Sequence, residues 1–308
     1  MTSRKVTSTR KPIEIRDGRV FTEAIEINAA WHCNIRCQSC SHASPSLPKQ
    51  YVDLASVAAN LTTLSKFMKV DHVRILGGEQ LLHPQLNPLI EAIRVAGISD
   101  KVRLLTNGLI LHQASPEFWR IVDEVHISVY PNTARVIERY LPALRLTAET
   151  YKVTLILKYF NYFRVSYRTD NGDQDLTERI YHTCQIGNVW RCITLEGGCL
   201  YRCPQATYLQ LFSGETRDGR NLDFLEVDTI TSALDIEQWL SHETSITSCQ
   251  VCTGSVGKLH PHQQMRSTSE VVMTTATNTI DLDYLTLLES DMNANNSCID
   301  REVVLNGN

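Results

Sequence analysis

The sequence predicts an α/β fold in which a parallel sheet forms a partial (β/α)6 barrel. Over the first half of the 308 residues, short apolar segments alternate with amphipathic helical segments, and glycine-rich or polar turns follow the apolar segments. Strand–helix–strand units of this kind form parallel sheets with right-handed crossovers. Five strands and a sixth candidate are too few to close an eight-stranded barrel, so we expect an open one.

The predicted elements follow one another in a regular order. The strands span 21–31, 71–78, 101–108, 124–131 and 152–160, with the sixth candidate at 162–168. The helices span 53–68, 84–97, 116–123 and about 132–150. Asp53 is expected to cap the first helix and Gly97 to end the second, while Pro142 should break or kink the last.

After about residue 183 the pattern changes to short, turn-rich segments that carry cysteines. We therefore expect three regions: the barrel at 20–183, a smaller module at 184–262, and a tail at 263–308. The tail contains one plausible helix, at 282–292, and we assign it no function.

The composition is that of a globular protein without a strong surface charge. Hydrophobic residues make up 43% of the chain and charged residues 21%, and the formal net charge is -4 at pH 7. This balance gives no reason to expect binding to nucleic acid or to an anionic membrane. No apolar run reaches the length of a membrane span, and the first residues lead into no signal-peptide core, so we expect a cytoplasmic protein.

The ten cysteines are grouped, and in a reducing compartment such groups indicate metal ligands or catalytic thiols. The groups lie at 33–40, 184–203 and 249–252, with one further cysteine at 298. Cys33, Cys37 and Cys40 have the spacing C-x3-C-x2-C directly after the first predicted strand. Three thiolates on a short loop can hold three corners of a four-iron cluster and leave the fourth iron open. A structural zinc site with His32 or His42 as the fourth ligand is the alternative.

These features resemble the radical S-adenosylmethionine (SAM) superfamily. The cysteine loop after the first strand is the signature of that superfamily, and "GGE" at 77–79 and "TNG" at 106–108 are similar to its motifs on the second and third strands. The resemblance implies that Cys33, Cys37 and Cys40 bind a [4Fe-4S] cluster whose open iron chelates SAM. It also implies reductive cleavage of SAM to a 5′-deoxyadenosyl radical, which abstracts a hydrogen atom from the substrate.

The same resemblance implies further contacts to SAM and a redox partner. The expected SAM-binding residues are Gly77, Gly78, Glu79, Asn107 and Ser128. Two positions depart from the usual pattern, because Ser39 stands where an aromatic residue is common and Gln80 where a proline is common. Neither departure removes a ligand. The expected reductant is of the flavodoxin or ferredoxin type.

Four later cysteines resemble the ligand set of a twitch domain, the half-length version of the SPASM extension. Cys184, Gly198 and Cys203 fit its first half, C-x(9–15)-G-x4-C, and Cys249 and Cys252 supply the next pair. The resemblance implies a second, auxiliary [4Fe-4S] cluster with four protein ligands.

Zinc is the alternative for part of this second set. The candidate ligands of a Cys2His2 site are Cys249, Cys252, His260 and His262. Two histidines one residue apart make a tight arrangement for one ion. The zinc site would also leave Cys184 and Cys203 without a role.

The resemblance covers roughly residues 20–255 and points to members that modify sugars and aminoglycosides, of the 2-deoxy-scyllo-inosamine dehydrogenase and neomycin epimerase type. A fully liganded auxiliary cluster carries electrons, so we expect oxidation of a secondary alcohol to a ketone. The expected substrate is a sugar, aminocyclitol or aminoglycoside-type intermediate, as in antibiotic biosynthesis. The alternatives are epimerisation, diol dehydration, decarboxylation and, in another substrate class, peptide modification. Only about 20 residues precede the core, where peptide-modifying members commonly carry a peptide-binding domain, and this disfavours the last.

The sequence leaves the catalytic residues open. In an epimerase a cysteine donates a hydrogen atom to the substrate radical, and the candidates are Cys192, Cys199 and Cys249, with Cys298 also spare. Use of Cys249 in this way would cost the auxiliary cluster a ligand. In a dehydrogenase a base takes the hydroxyl proton, and the candidates are Glu26, Lys158 and Glu196.

Overall fold

The computed structural model describes residues 13–168, 172–213, 223–266, 279–294 and 298–306. Its strands are β1 Glu14–Arg16, β2 Arg19–Ala30, β3 Met68–Gly77, β4 Val102–Thr106, β5 Glu124–Val129, β6 Thr154–Tyr159, β7 Tyr162–Arg164, β8 Ile193–Glu196, β9 Cys199–Tyr201, β10 Phe224–Glu226, β11 Leu259–Pro261 and β12 Arg301–Asn306. Its helices are α1 Leu54–Leu64, α2 Leu86–Ala96, α3 Pro116–Ile121, α4 Ala134–Tyr151, α5 Gln174–Thr183, α6 Gln185–Asn188, α7 Pro204–Ser213, α8 Ala233–Ser241 and α9 Leu282–Ser290.

One large sheet organises the chain. Its strand order is β10-β9-β8-β2-β3-β4-β5-β6-β12, and β1 also pairs with β2. Within the described residues, the six neighbouring strands from β8 to β6 run parallel. The predicted α/β fold with the parallel sheet of a partial barrel is confirmed.

Helices cover one face of the parallel strands. Ile25 and Ile27 of β2 and Ile75 of β3 are fully buried there, with Leu61 of α1 and Ile90 of α2 in the same apolar cluster. Full burial of each such side chain stabilises the fold by about 1.5–3 kcal/mol. This packing fixes the strand ends that carry the site.

The opposite face of the sheet carries a row of charged side chains. Glu26, Arg74, Arg103 and Glu124 are successive neighbours across β2, β3, β4 and β5. Arg74 pairs with Glu26 at 3.2 Å and Arg103 with Glu124 at 2.9 Å. Burial raises the pKa of Glu26, and Arg74 opposes that rise.

The sixth parallel strand is not the segment that the sequence indicated. In 162–168 only β7 is extended, and it pairs antiparallel with β11 in a separate two-stranded sheet. The sixth parallel strand is β8, which lies beside β2 at the other end of the row. Strand β8 has four residues, too few to show a strand pattern in the sequence, and its pairing with β2 and β9 defines it.

Two other local expectations also differ from the structure. Helix α4 runs unbroken through Pro142, with buried Ile137 and Leu144 on both sides of it, so the expected break is wrong and the expected kink stays a prediction. Met68 begins β3 and does not end α1. The caps are confirmed: the Asp53 carboxylate accepts from the Ser56 amide at 2.8 Å, and Gly97 ends α2 with a φ of +69°.

Later parts of the chain extend the sheet on both sides of the parallel strands. On one side β8, β9 and β10 continue it next to β2, and on the other side β12 pairs antiparallel with β6. The division at residues 183 and 262 stays a prediction. None of the described helices has the length and apolar character to cross a membrane.

Candidate cysteine-lined active site

The three cysteines of the 33–40 loop line one cavity of about 390 Å³. The loop follows β2, so the cavity lies beyond the carboxyl ends of the parallel strands, where active sites of such sheets form. The strand-end residues Gly77, Gly78, Asn107 and Ser128, all singled out from the sequence, line the same cavity. The structure therefore brings the three cysteines together with four of the five expected SAM-binding residues.

The two glycines let the end of β3 press against the start of the cysteine loop. Gly77 has a φ of +130°, in the region that favours glycine. The amide of Gly78 donates to the carbonyl of Ala30 at 2.7 Å, and a Cβ at Gly78 would lie 2.0 Å from the carbonyl oxygen of His32. A side chain at Gly78 would therefore displace the backbone that leads into Cys33.

Glu79, the fifth expected SAM-binding residue, supports the site from behind the cavity wall. Its buried carboxylate accepts from the Thr106 hydroxyl at 2.7 Å and from the Asn107 amide at 2.9 Å. Burial raises the pKa of Glu79, and these hydrogen bonds oppose the rise. The side-chain amide of Asn107 donates to Oδ1 of Asn34 at 2.6 Å and lies 3.5 Å from the sulfur of Cys33.

Each of the three sulfurs has N–H groups near it. The side-chain amide of Asn107 lies near the sulfur of Cys33, and Nε2 of His262 lies 3.2 Å from Sγ of Cys37. Backbone amides that follow Cys40 donate to the sulfur of Cys40. Burial raises the pKa of the Cys33 thiol to about 12, and the N–H donors oppose that rise. Metal binding removes the thiol protons, and the donors then stabilise the thiolates. The donor set fits a thiolate-bound cluster.

Neither zinc site is assembled. Within the described segments, no group of three or more His, Cys, Asp or Glu side chains could hold a metal ion together. His32 packs against Tyr51, with ring centroids 5.0 Å apart, and His262 approaches Cys37. In a four-iron cluster each cysteine binds a different iron, so its sulfurs need not converge on one ion.

The four cysteines of the second set line a second, smaller cavity. Burial raises the pKa of each of these thiols, that of Cys252 to about 12, and for Cys203, Cys249 and Cys252 neighbouring cysteines of the set raise it further. Gly254 lies against this group, and its amide donates to Sγ of Cys252 at 3.3 Å. Four thiols around one space have the number and type of ligands that a [4Fe-4S] cluster requires.

The two cavities adjoin. Ile186, Gln205 and Gly254 line both of them. A group bound in the first cavity would therefore be separated from the second set of cysteines by a single layer of residues.

The candidate hydrogen donors lie in different surroundings. Cys192 lies on the charged face of the sheet, 3.9 Å from Nη1 of Arg74, and Cys199 is buried with Tyr201 and Phe224. Cys249 belongs to the second cavity, whereas Cys298 lines the first.

The three candidate bases lie outside the first cavity. Glu26 is paired with Arg74 at 3.2 Å, and Nζ of Lys158 is paired with Glu302 at 3.1 Å. Glu196 accepts a hydrogen bond from Asn28 at 3.5 Å.

Sequence reasoning missed the contribution of the tail to the cavity wall. Tyr284, Cys298 and Ile299 all line the first cavity. The segment is held by Asp300, whose amide donates to the carbonyl of Tyr159 at 2.9 Å, and by the pairing of β12 with β6. The available signal was weak: a single cysteine just before the extended-looking run "REVVLN".

Comparisons with known proteins give partial matches. No family model matches the sequence. GTP 3′,8-cyclase of Chlorobaculum tepidum is 31% identical over 96 residues, which cover 31% of this chain and 28% of that protein. Molybdenum cofactor biosynthesis protein 1 of Bos taurus is 31% identical over 97 residues, which cover 30% of this chain and 15% of that protein. The solved structure of BtrN in complex with AdoMet and 2-DOIA has a TM-score of 0.37 and 14% identity, covering 59% of this chain and 73% of that chain.

The fold and the site together define an α/β protein with a cysteine-lined cavity at the carboxyl ends of parallel strands. The curated relatives support the resemblance to the radical SAM superfamily. The match spans less than a third of the length of each of these relatives.

Proposed function

We propose that this protein is a radical SAM oxidoreductase that oxidises a secondary alcohol of a carbohydrate-type substrate to a ketone. Cys33, Cys37 and Cys40 would hold the SAM-binding cluster, and the second set of cysteines the auxiliary cluster. The observation that carries the proposal is the shared wall of the two cavities at Ile186 and Gly254. An electron that leaves a substrate in the first cavity then has a short path to an acceptor in the second.

Oxidation of an alcohol to a ketone removes one hydrogen atom, one electron and one proton. When bound, SAM and the two clusters supply a 5′-deoxyadenosyl radical for the hydrogen atom and an acceptor for the electron. For the proton, the chain offers His42, which lines the cavity and whose buried Nε2 has no hydrogen-bond partner among the described residues. Burial lowers the pKa of His42 to about 4, so we assign it to accept a hydrogen bond from the substrate hydroxyl rather than to retain the proton at pH 7.

The polar groups of the cavity suit a polyol. Hydroxyl and amide side chains line it, among them Ser41, Ser44, Ser166, Ser255 and Gln205. Among the described residues that line it, Arg164 is the one with a permanent charge, and there is no carboxylate. A polycation needs carboxylates to replace its hydration when it is buried, so this lining favours a neutral or acidic sugar over a polycationic aminoglycoside.

The proposal is tested with Cys184→Ser, which removes one ligand of the auxiliary set. We would supply the reconstituted protein with SAM, dithionite and ring-deuterated scyllo-inositol, glucuronate or 2-deoxy-scyllo-inosamine, and follow the products by mass spectrometry. The wild type should move deuterium into 5′-deoxyadenosine and form a ketone. Cys184→Ser should keep 5′-deoxyadenosine formation and lose most of the ketone.

Cys192→Ser is the matched control, because Cys192 lines neither cavity, and this variant should keep both products. Equal ketone formation by Cys184→Ser and the wild type would contradict the electron-transfer role of the second set.

Epimerisation is the second candidate, and the position of Cys298 in the first cavity favours it. After abstraction of a hydrogen atom, the S–H bond of Cys298 would break and a C–H bond would form on the opposite face of the carbon. The thiyl radical left behind would take one electron and one proton, the electron from a flavodoxin- or ferredoxin-type reductant.

A further inference from the structure

His262 contacts the sulfur of a proposed cluster ligand and is held there by two aromatic rings, one stacked on its face and one packed edge-on. Its Nε2 lies 3.2 Å from Sγ of Cys37, and the side chain is buried. The imidazole stacks on Tyr130, with centroids 4.6 Å apart and planes 7° from parallel, and Phe163 meets it edge-on at 4.8 Å. These two rings fix the plane of the imidazole and so the direction of Nε2.

The backbone ties the same segment to the cysteine loop. The amide of Gln38 donates to the carbonyl of Gln263 at 2.9 Å, and the amide of Met265 donates to the carbonyl of Arg36 at 2.7 Å. The amide of His262 itself donates to the carbonyl of Asn161 at 2.7 Å, just before β7. The loop and the histidine therefore move as one unit.

The hydrogen-bonding capacity of the two groups determines the direction of the bond. A cysteine sulfur that ligates iron has no proton and can only accept. Nδ1 of His262 is buried and has no hydrogen-bond partner among the described residues, so the imidazole makes its polar side-chain contact through Nε2. The tautomer that satisfies the contact carries its proton on Nε2 and donates an N–H···S hydrogen bond to Cys37.

We propose that His262 is a positioning residue that donates this hydrogen bond to the Cys37 thiolate and raises the reduction potential of the SAM-binding cluster. Reduction adds negative charge to the cluster and its sulfurs, and an N–H donor stabilises that charge. The inference rests on the proposed function for the assignment of Cys37 as a ligand. It gives the 259–265 segment a role in the electron transfer that precedes SAM cleavage.

The test is the midpoint potential of the SAM-binding cluster, followed by electron paramagnetic resonance on the full-length reconstituted protein. The signal of that cluster is recognised because it changes when SAM is added. His262→Phe keeps a ring in contact with Tyr130 and Phe163 but removes the donor, so the potential of the cluster should shift to more negative values. His262→Gln keeps an N–H donor and should stay near the wild type.

His260→Phe is the matched control, since His260 lies two residues away on β11 and its Nδ1 is 3.0 Å from the carbonyl of Pro261. An unchanged potential in His262→Phe, with the four-iron signal intact, would overturn the inference. If His262→Phe binds no cluster, the midpoint potentials of His262→Met and His262→Gln provide the same comparison. Equal potentials in these two variants would again overturn the inference. A wild type that takes up no iron would overturn the proposed function itself.

Discussion

Gly78 is the residue on which the contact between the cysteine loop and the sheet depends most directly. We predict that Gly78→Ala lowers the free energy of unfolding by about 2 kcal/mol or more, since a Cβ 2.0 Å from the carbonyl oxygen of His32 forces the backbone apart. The same displacement should lower the iron content after reconstitution. Urea denaturation and an iron assay measure both effects.

Gly187→Ala is the control for that substitution, because a Cβ at Gly187 meets no atom within 4 Å. It should keep the stability and iron content of the wild type. Equal iron content in Gly78→Ala and Gly187→Ala would show that the close contact does not position the loop.

Substitution of Cys298 distinguishes between the two candidate reactions, epimerisation and dehydrogenation. If the enzyme is an epimerase, Cys298→Ala should still form 5′-deoxyadenosine but should no longer transfer solvent deuterium to the product. Its rate of epimer formation should fall by about 10²-fold or more. If it is a dehydrogenase, Cys298→Ala should still form the ketone. Mass spectrometry of reactions in deuterated water distinguishes the two, and Cys192→Ala is the control, since Cys192 lies outside the cavity. A Cys298→Ala variant that still incorporates solvent deuterium with inversion would exclude Cys298 as the donor.

The residues that the sequence predicted for the first cavity share one property: each lies in a short segment next to a strand end. The spacing of Cys33, Cys37 and Cys40 and the turns at 77–79 and 106–108 are local patterns, and the structure places them around one cavity. His262 and Cys298 join the site through tertiary contacts across more than two hundred residues of sequence. No local pattern could show those contacts.

At the scale of secondary structure elements, the charged row across β2–β5 makes a measurable contribution to stability. Burial alone would raise the pKa of Glu124, but His126 and Arg103 outweigh it and lower the pKa to about 2. A carboxylate with a depressed pKa stabilises the fold above its unfolded pKa, near 4.5, and that contribution is lost as the pH falls from there toward 2.

We therefore predict that Glu124→Gln lowers the free energy of unfolding by about 1–2 kcal/mol at pH 7. The difference from the wild type should shrink as the pH falls below 4.5. Urea titrations across this range test it. Glu149→Gln is the control, because the exposed Arg145–Glu149 pair should contribute less than about 0.5 kcal/mol. A difference that stays constant down to pH 3 would contradict the pKa shift as its source.

The elements that the sequence predicted well are those with a strong internal pattern. The strands β2–β6 are buried apolar runs, and α1 and α2 carry a regular apolar stripe, so periodicity locates them. The four-residue β8 and the three-residue β7 have no such pattern. The sheet that each of these strands joins depends on pairing with strands that are distant in the sequence. Local periodicity carries no information about that pairing.

At the scale of the whole molecule, the first cavity is built from all three regions that the sequence divides. The 33–40 loop comes from the predicted barrel, Gln185 and Gly254 from the cysteine-bearing module, and Cys298 from the tail. Pairing of β8 with β2 and of β12 with β6 also covers both edges of the five strands β2–β6, which protects their backbone groups. The tail is therefore part of both the sheet and the site.

The central claim is that the two sets of cysteines hold two four-iron clusters, one of which cleaves SAM. The most direct measurement is the iron content of the anaerobically reconstituted protein and of the Cys33→Ala/Cys37→Ala/Cys40→Ala variant, together with 5′-deoxyadenosine formed from SAM and dithionite. We predict about eight irons per wild-type chain and about four in the variant, with the nucleoside formed by the wild type alone. Zinc in place of iron, with SAM left intact by the wild type, would contradict the claim.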